Sequence, residues 1–226
     1  MKILGIETSS HLFSLCINED DIVIYEVARN RLQDDSRDAH FFVEAEKLLG
    51  YYGLKNIGAI AIDSGPGMFT SLRVGLTFAK GLALSVNIPV ITVKSLDVIG
   101  TSLEFSYYPV LAVINAYHGE IYVALYRRGE RITDYLLTTP EGIKKLVREK
   151  TLVIGSGVGL IQEKYGQGTY FIYSRDPFLL PTASKVIACA LPRIKKKQFE
   201  DIEMLEPYYI KKTDAERNYD KTDASR

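Results

Sequence analysis

The sequence has no excess of charge: 28 lysines and arginines balance 28 aspartates and glutamates, for a formal net charge of zero. No global field therefore draws in a nucleic-acid backbone, and any RNA contact has to be local or borrowed from a partner. Cysteine is scarce. Cys16 and Cys189 lie far apart in apolar segments, which argues against a disulfide framework and fits buried free thiols in a reducing, cytosolic compartment. Of the three histidines, His11, His40 and His118, no two stand at HxxH or HxxxH spacing, and neither cysteine has a CxxC partner. A zinc or iron site built by this chain alone is not expected. No long apolar run is present either. Residues 74–93, the most apolar segment, are broken by Lys80, Asn87 and Pro89, and MKILGIETSS lacks the apolar stretch of a signal peptide, so no targeting or membrane-spanning segment is expected.

What remains is an ordinary globular composition, 46% hydrophobic and 25% charged, in 226 residues that suit one split domain or two compact lobes. KILGIE, LFSLCIN and DIVIYEV read as three strands, with NEDD as the hairpin turn between the second and third. DAHFFVEAEKLLGYY, residues 38–52, repeats its apolar residues at helical spacing and is closed by Gly53. IGAIAID reads as a strand covered on both faces, residues 68–86 as a helix, and VITV as a further strand. PVLAVIN, EIYVALY and RITDYLL then predict strands, PEGIKKLVREK a helix opened by Pro140, TLVIGSG a strand, residues 158–164 a short helix, TYFIY a strand, and Thr182 the start of a last helix. MLEPYYI predicts one last strand, and the tail TDAERNYDKTDASR has no apolar face to hold it. The halves repeat one order of elements, which predicts an N-terminal lobe over 1–103, a C-terminal lobe over 104–212 whose last helix packs back on the first, and a polar tail over 213–226.

The segment IDSGPGMFTSLRVGLTFAKGLALS carries the most information. Gly65 and Gly67 around Pro66 make a tight turn into a helix whose first N–H groups are able to hold an anion. It is no P-loop, because Met68 and Phe69 stand where that motif needs Lys and Ser or Thr. The helix carries only Arg73 and Lys80 as charges. Ser71, Gly75, Ala79 and Ala83 form a small-residue row along which another helix fits closely, while Phe69, Leu72, Leu76 and Phe78 are expected to face the sheet. With Phe42, Leu49 and Tyr51 on the preceding helix, apolar surface is left over for a partner chain. Glu7 and Asp63 close two strands and are a candidate Mg²⁺ pair for phosphoryl chemistry, and Thr8 and Ser9 offer hydroxyls to a phosphate. Against both, strand-end acids often cap the next turn. There is no GxSxG elbow, SGVG at 156–159 reads as a turn, and RIKKKQ as a solvated helix end.

MKILGIETSS, IDSGPGMFTSLRVGLTFAKGLA, INAYHGEIYVALY and LEPYYIKKTDAE, in this order, resemble the TsaB (YeaZ) family across both halves. The resemblance implies an α/β, duplicated ribonuclease-H-like fold of the actin and sugar-kinase type (ASKHA) in two lobes. It also implies a non-catalytic, cytoplasmic partner of TsaD, which transfers a threonylcarbamoyl group to the adenosine beside the tRNA anticodon. Such a protein has no cofactor of its own, ATP and a metal ion being used by the partner subunits. It pairs with TsaD and TsaE, dimerises when alone, and meets tRNA only through the complex. The contact residues it implies are His40, Phe41, Leu48, Thr70, Leu72, Arg73, Gly75 and Ala79, with Thr8, Ser9, Gly65 and Gly67 as a possible anion or nucleotide turn. The alternative reading is a metal-dependent phosphotransferase or nuclease using Glu7 and Asp63. The chain departs from the family pattern at Glu7, Met68, Ser71 and Asn115–Gly119.

Overall fold

The computed structural model of the chain describes residues 1–30, 37–168, 170–174 and 179–210; the side chains of 37 and 38 and the polar tail expected over 213–226 lie outside the described residues. Three β-rich runs pair as an antiparallel meander, β1 (Lys2–Glu7), β2 (Leu12–Glu19) and β3 (Ile22–Asn30). Pairing of Glu19 with Ile22 leaves Asp20 and Asp21 as a two-residue turn, at φ 51° and 65°, the left-handed pair such a hairpin needs. Helix α1 (Arg37–Tyr52) leads to β4 (Ile57–Asp63), and α2 (Phe69–Val86) to β5 (Val90–Val93). β4 pairs in parallel with β1, and β5 with β4, giving the order β3-β2-β1-β4-β5.

The second half repeats this plan. After α3 (Ser95–Thr101) come β6 (Val110–Asn115), β7 (Ile121–Arg127), β8 (Glu130–Arg131), β9 (Leu136–Thr138), β10 (Thr151–Ile154), α4 (Val158–Tyr165), β11 (Phe171–Tyr173) and α5 (Ala183–Lys195). β6 is central, antiparallel to β7 and parallel to β10, in the order β11-β10-β6-β7-β8, with β9 also pairing β7. This is the order of the first sheet, so the expected duplicated, two-lobed ribonuclease-H-like architecture is present.

Three local expectations are corrected, and one helix, α3, has no counterpart among them. RITDYLL does not form one strand, because it divides into β8 and β9. PEGIKKLVREK yields a 3₁₀ helix over Pro140–Lys145, tightened by Gly142 N–H to Thr139 O at 3.0 Å, with glycine, a poor helix former, inside it. Helix α3 has no visible period because Ser95, Leu96, Val98, Ile99 and Gly100 are all buried, wedged between the two sheets. MLEPYYI is not a strand but an irregular strap: Tyr208 N–H donates to Ser64 O at 2.7 Å, and Leu205 joins the core under α2.

Both faces of the first sheet are covered, which is why β1 and β4 are apolar throughout. Helices α1 and α2 pack on one face with Leu4, Ile6, Phe13, Leu15 and Ile60. Helix α5, from the far end of the chain, packs on the other with Ile3, Cys16, Ala59, Ala61 and Ile91. It sits so close that a Cβ on Gly5 would lie 2.6 Å from Ala183 O. Its first N–H groups are satisfied by strand side chains: Ala183 N–H donates to Ser14 Oγ at 2.6 Å, and Ser184 N–H and Oγ both donate to Glu26 at 2.8 Å.

Candidate partner-binding surface

Helix α2 has few charges because little of it meets water. The small row Ser71, Gly75, Ala79 and Ala83 is buried together with Leu72 and Leu76, in one broad face against the strands and the turn after β1. A Cβ on Gly75 would lie 2.2 Å from Thr8 Oγ1. This reverses the expected assignment, in which the small row met a partner helix and Phe69 and Phe78 met the sheet. Of the expected contact residues, Phe41, Leu48, Leu72, Gly75 and Ala79 are therefore core, with Phe41 and Ala79 at 0% exposure, and Leu72 at 1%. Only Thr70 and Arg73 are exposed, and His40 is half-buried.

The outward face of α2 is nonetheless apolar. Phe69, Thr70, Arg73, Val74, Thr77, Phe78, Gly81 and Leu82 line a shallow groove of about 580 Å³ together with Phe42 of α1. Phe42 is 46% exposed and Leu84, one turn further, 63%. Phe42 is held upright by edge-to-face contacts with Phe41 at 5.3 Å and Phe78 at 5.8 Å, and Phe41 in turn packs on Phe13 and Phe78. Tyr51 is exposed as expected, and Leu49 is half-buried. Arg73 is not a free charge: its guanidinium lies 3.9 Å above the Phe69 ring, and Nε donates to Tyr209 of the strap at 3.1 Å. The residues that sequence reasoning missed, Val74, Thr77, Gly81 and Leu84, continue the Thr70 and Arg73 stripe at steps of three and four, which is the signal that would have found them.

The glycine turn is closed by the chain itself. Met68 N–H donates to Ser9 O at 2.8 Å, Ser9 N–H to Glu7 at 3.0 Å, and the Ser9 hydroxyl to the same carboxylate. Thr8 and Ser9 are buried, and a Cβ on Gly67 would lie 2.2 Å from Ser9 O. An anion site made by Thr8, Ser9, Gly65 and Gly67 is thus corrected to an interlocked pair of turns that aims α2. Ser9 and Gly67 do reach an interlobe cavity of about 310 Å³, but its lining, which includes Leu12, Met68, Ile99 and Ile114, contains no lysine or arginine.

β1 and β4 run side by side, so Glu7 and Asp63 end adjacent strands. Each serves its own turn. Asp63 Oδ1 accepts from Gly65 N–H and Ser95 Oγ, both at 2.7 Å, and Oδ2 is buried without a hydrogen-bond partner. Among the described residues no group of three or more His, Cys, Asp or Glu is placed to hold a metal ion. Burial pushes the Asp63 carboxyl up to about 6, against the hydrogen bonds from Ser95 and Gly65 and the charge of Lys94. Because the folded state holds this proton more tightly than the unfolded chain, the stability it adds is full below about pH 4 and is lost as pH rises to about 6. Asp63→Asn keeps both Oδ1 bonds, so its stability relative to the parent should rise from pH 4 to 6 and then level off. Melting temperatures of both chains across that range test this, and parallel curves would refute it.

Residues 44–166, more than half of the chain, match the family described as "TsaD: tRNA N6-adenosine threonylcarbamoyltransferase". The chain belongs to this family, in its TsaB (YeaZ) branch. It is 27% identical over 224 residues to the Escherichia coli (strain K12) protein named tRNA threonylcarbamoyladenosine biosynthesis protein TsaB, covering 93% of this chain and 95% of that one. Its likeness to the tRNA N6-adenosine threonylcarbamoyltransferase of Pyrobaculum neutrophilum is shorter, 32% over 106 residues, 41% of this chain and 32% of that enzyme. The solved structure titled "YeaZ from Pseudomonas aeruginosa" superposes with a TM-score of 0.77 at 22% identity, covering 92% of this chain and 99% of that one. That likeness speaks for the fold. No helix among the described residues is long and apolar enough to cross a membrane, and Cys16 and Cys189 are free.

Proposed function

We propose that this chain acts in forming threonylcarbamoyladenosine in tRNA, as a non-catalytic scaffold that docks on the threonylcarbamoyltransferase through α1 and α2. The observation that carries the reading is the outward face of these helices, where Phe42, Val74, Phe78, Leu82 and Leu84 stand together with hardly a charge among them. An 18-residue helix is about 27 Å long, enough for a matching helix pair to cross it at the usual 8–10 Å and form a four-helix bundle. Because the transferase shares this fold, its own helices are the natural complement, and two copies of the chain meet through the same face when no transferase is present. In this reading TsaE joins as the ATPase, ATP and any metal ion are used by the partner subunits, tRNA is reached through the complex, and the assembly works in the cytoplasm.

The test is co-elution on size exclusion with the transferase. The Phe42→Glu/Thr77→Glu chain, changed only at exposed positions, should elute alone, with affinity lowered at least a hundredfold, since a charge buried without a partner at an interface costs several kcal/mol. Undiminished co-elution would remove the scaffold reading. The enzyme alternative is not favoured by the geometry, since Glu7 and Asp63 are both engaged by their own turns.

A further inference from the structure

Opposite the interlobe cavity, the strands of the second sheet end in a row of rings and cations. β6, β10 and β11 begin directly after Tyr108–Pro109, Lys150 and Tyr170, and β7 runs out into Arg127 and Arg128. Backbone hydrogen bonds hold these strand starts side by side, Leu152 N–H to Pro109 O at 2.8 Å and Thr151 N–H to Tyr170 O at 2.9 Å. The aromatic residues here bury little of themselves: Tyr107 is 90% exposed, Phe105 81% and Tyr170 57%. Tyr107 meets Tyr108 edge to face at 5.3 Å, and Lys150 Nζ stands 5.6 Å from the centre of the Tyr108 ring. Glu149, the acid within the row, is taken up by Arg127. Arg128, Arg148 and Lys150 point into solvent. Glu104, Phe105 and Glu130 lie on the β8 side, beside Arg128 in the β7–β8 turn, where a Cβ on Gly129 would lie 3.0 Å from Glu104 Cβ, so Arg148 and Lys150 are the cations on the side of β6, β10 and β11.

We propose that this end of the second sheet is a stacking platform for unpaired nucleotides of RNA, with Tyr107 and Tyr170 taking bases and Arg148 and Lys150 taking phosphates. Exposed rings beside cations are the combination that single strands need, since every base has a stacking face and every link a charge. The centre of a protein interface is poor in lysine, and no large aliphatic side chain among the residues of this row is exposed, which favours RNA over a protein. Three adjacent strands, β11, β10 and β6, at about 4.8 Å spacing give a row of about 10 Å, long enough for two or so stacked nucleotides. The inference rests on the reading that the chain works in tRNA modification. It supplies the local contact that a chain of zero net charge otherwise lacks.

The test is fluorescence anisotropy of a labelled, unmodified tRNA transcript titrated with the full chain at several salt concentrations. Tyr107→Ala/Tyr170→Ala should weaken binding about tenfold or more by removing stacked bases. Arg148→Glu/Lys150→Glu should weaken it similarly and lower the slope of log Kd against log salt by about two, one for each phosphate contact. A duplex RNA of equal length should compete poorly with the transcript. Equal binding by the parent and both variants, or no binding at about 100 µM chain, a concentration at which even non-specific contacts register, overturns the proposal. So does loss of transferase co-elution in these variants with tRNA binding unchanged, which assigns the surface to a protein. Co-elution measured on the same samples keeps the two readings apart, because a failed platform with intact co-elution leaves the scaffold standing.

Discussion

A Gly75→Val chain is expected to melt roughly 2–12 °C below the parent, the opposite of what filling a helical glycine usually does. In an ordinary helix, replacing glycine by a residue with a side chain gains up to about 1 kcal/mol. Here the first added carbon would stand 2.2 Å from Thr8 Oγ1 and 3.0 Å from Thr8 Cγ2. Thr8 is fully buried in the turn that Glu7, Ser9 and Met68 lock together, so it has no free direction in which to retreat. Overpacking of this kind costs about 1–3 kcal/mol, and each kcal/mol moves the midpoint of a chain this size by about 2–4 °C. Gly75→Ala should lie between the two. A midpoint at or above the parent's for either variant would show that α2 does not seat on the turn as described.

Gly81, one and a half turns away on the same helix, should respond in the reverse direction. No atom lies within 4 Å of a Cβ built there, and its position is exposed on the groove. Gly81→Glu therefore raises the midpoint by a few degrees through helix propensity, while placing an unpaired carboxylate in the middle of the apolar face. Association with the transferase, or with a second copy, should fall by two orders of magnitude or more. A destabilised enzyme partner loses binding because it unfolds; this one should lose binding while becoming harder to melt. Differential scanning fluorimetry beside size-exclusion co-elution measures both, and retained co-elution would rule out the groove as the contact.

The contrast between these two glycines explains how much could be read from the sequence. Periodicity identifies which residues share a helix face, and it grouped Ser71, Gly75, Ala79 and Ala83 correctly. It cannot say which body covers that face. Small residues permit close approach of any neighbour, and here the neighbour is the chain's own sheet and the buried turn at Thr8. The large residues Phe42, Phe69 and Phe78 are the ones left on the outer side, Phe42 and Phe78 propped against each other and Phe69 against Tyr209 of the strap. The strands were legible because their β-branched runs are bounded by Gly, Pro and Asp. Helix α3 was not, since it is short and most of its residues are buried, which leaves little of the alternation from which a face is recognised. The strap over residues 204–209 was mistaken for a strand because its apolar residues grip separate places, Leu205 the core, Tyr208 the backbone of Ser64 and Tyr209 the ring of Phe69.

The position of α5 has a consequence for how the protein is made. The first sheet is complete in sequence at Val93, yet the helix that covers its second face ends only at Lys195. At about 5–20 residues per second, the ribosome needs roughly 5–20 s to deliver it. During that interval Ile3, Cys16, Ala59, Ala61 and Ile91 form a bare apolar slab on a nascent chain. The final cover of the first lobe is thus the last described helix to be synthesised.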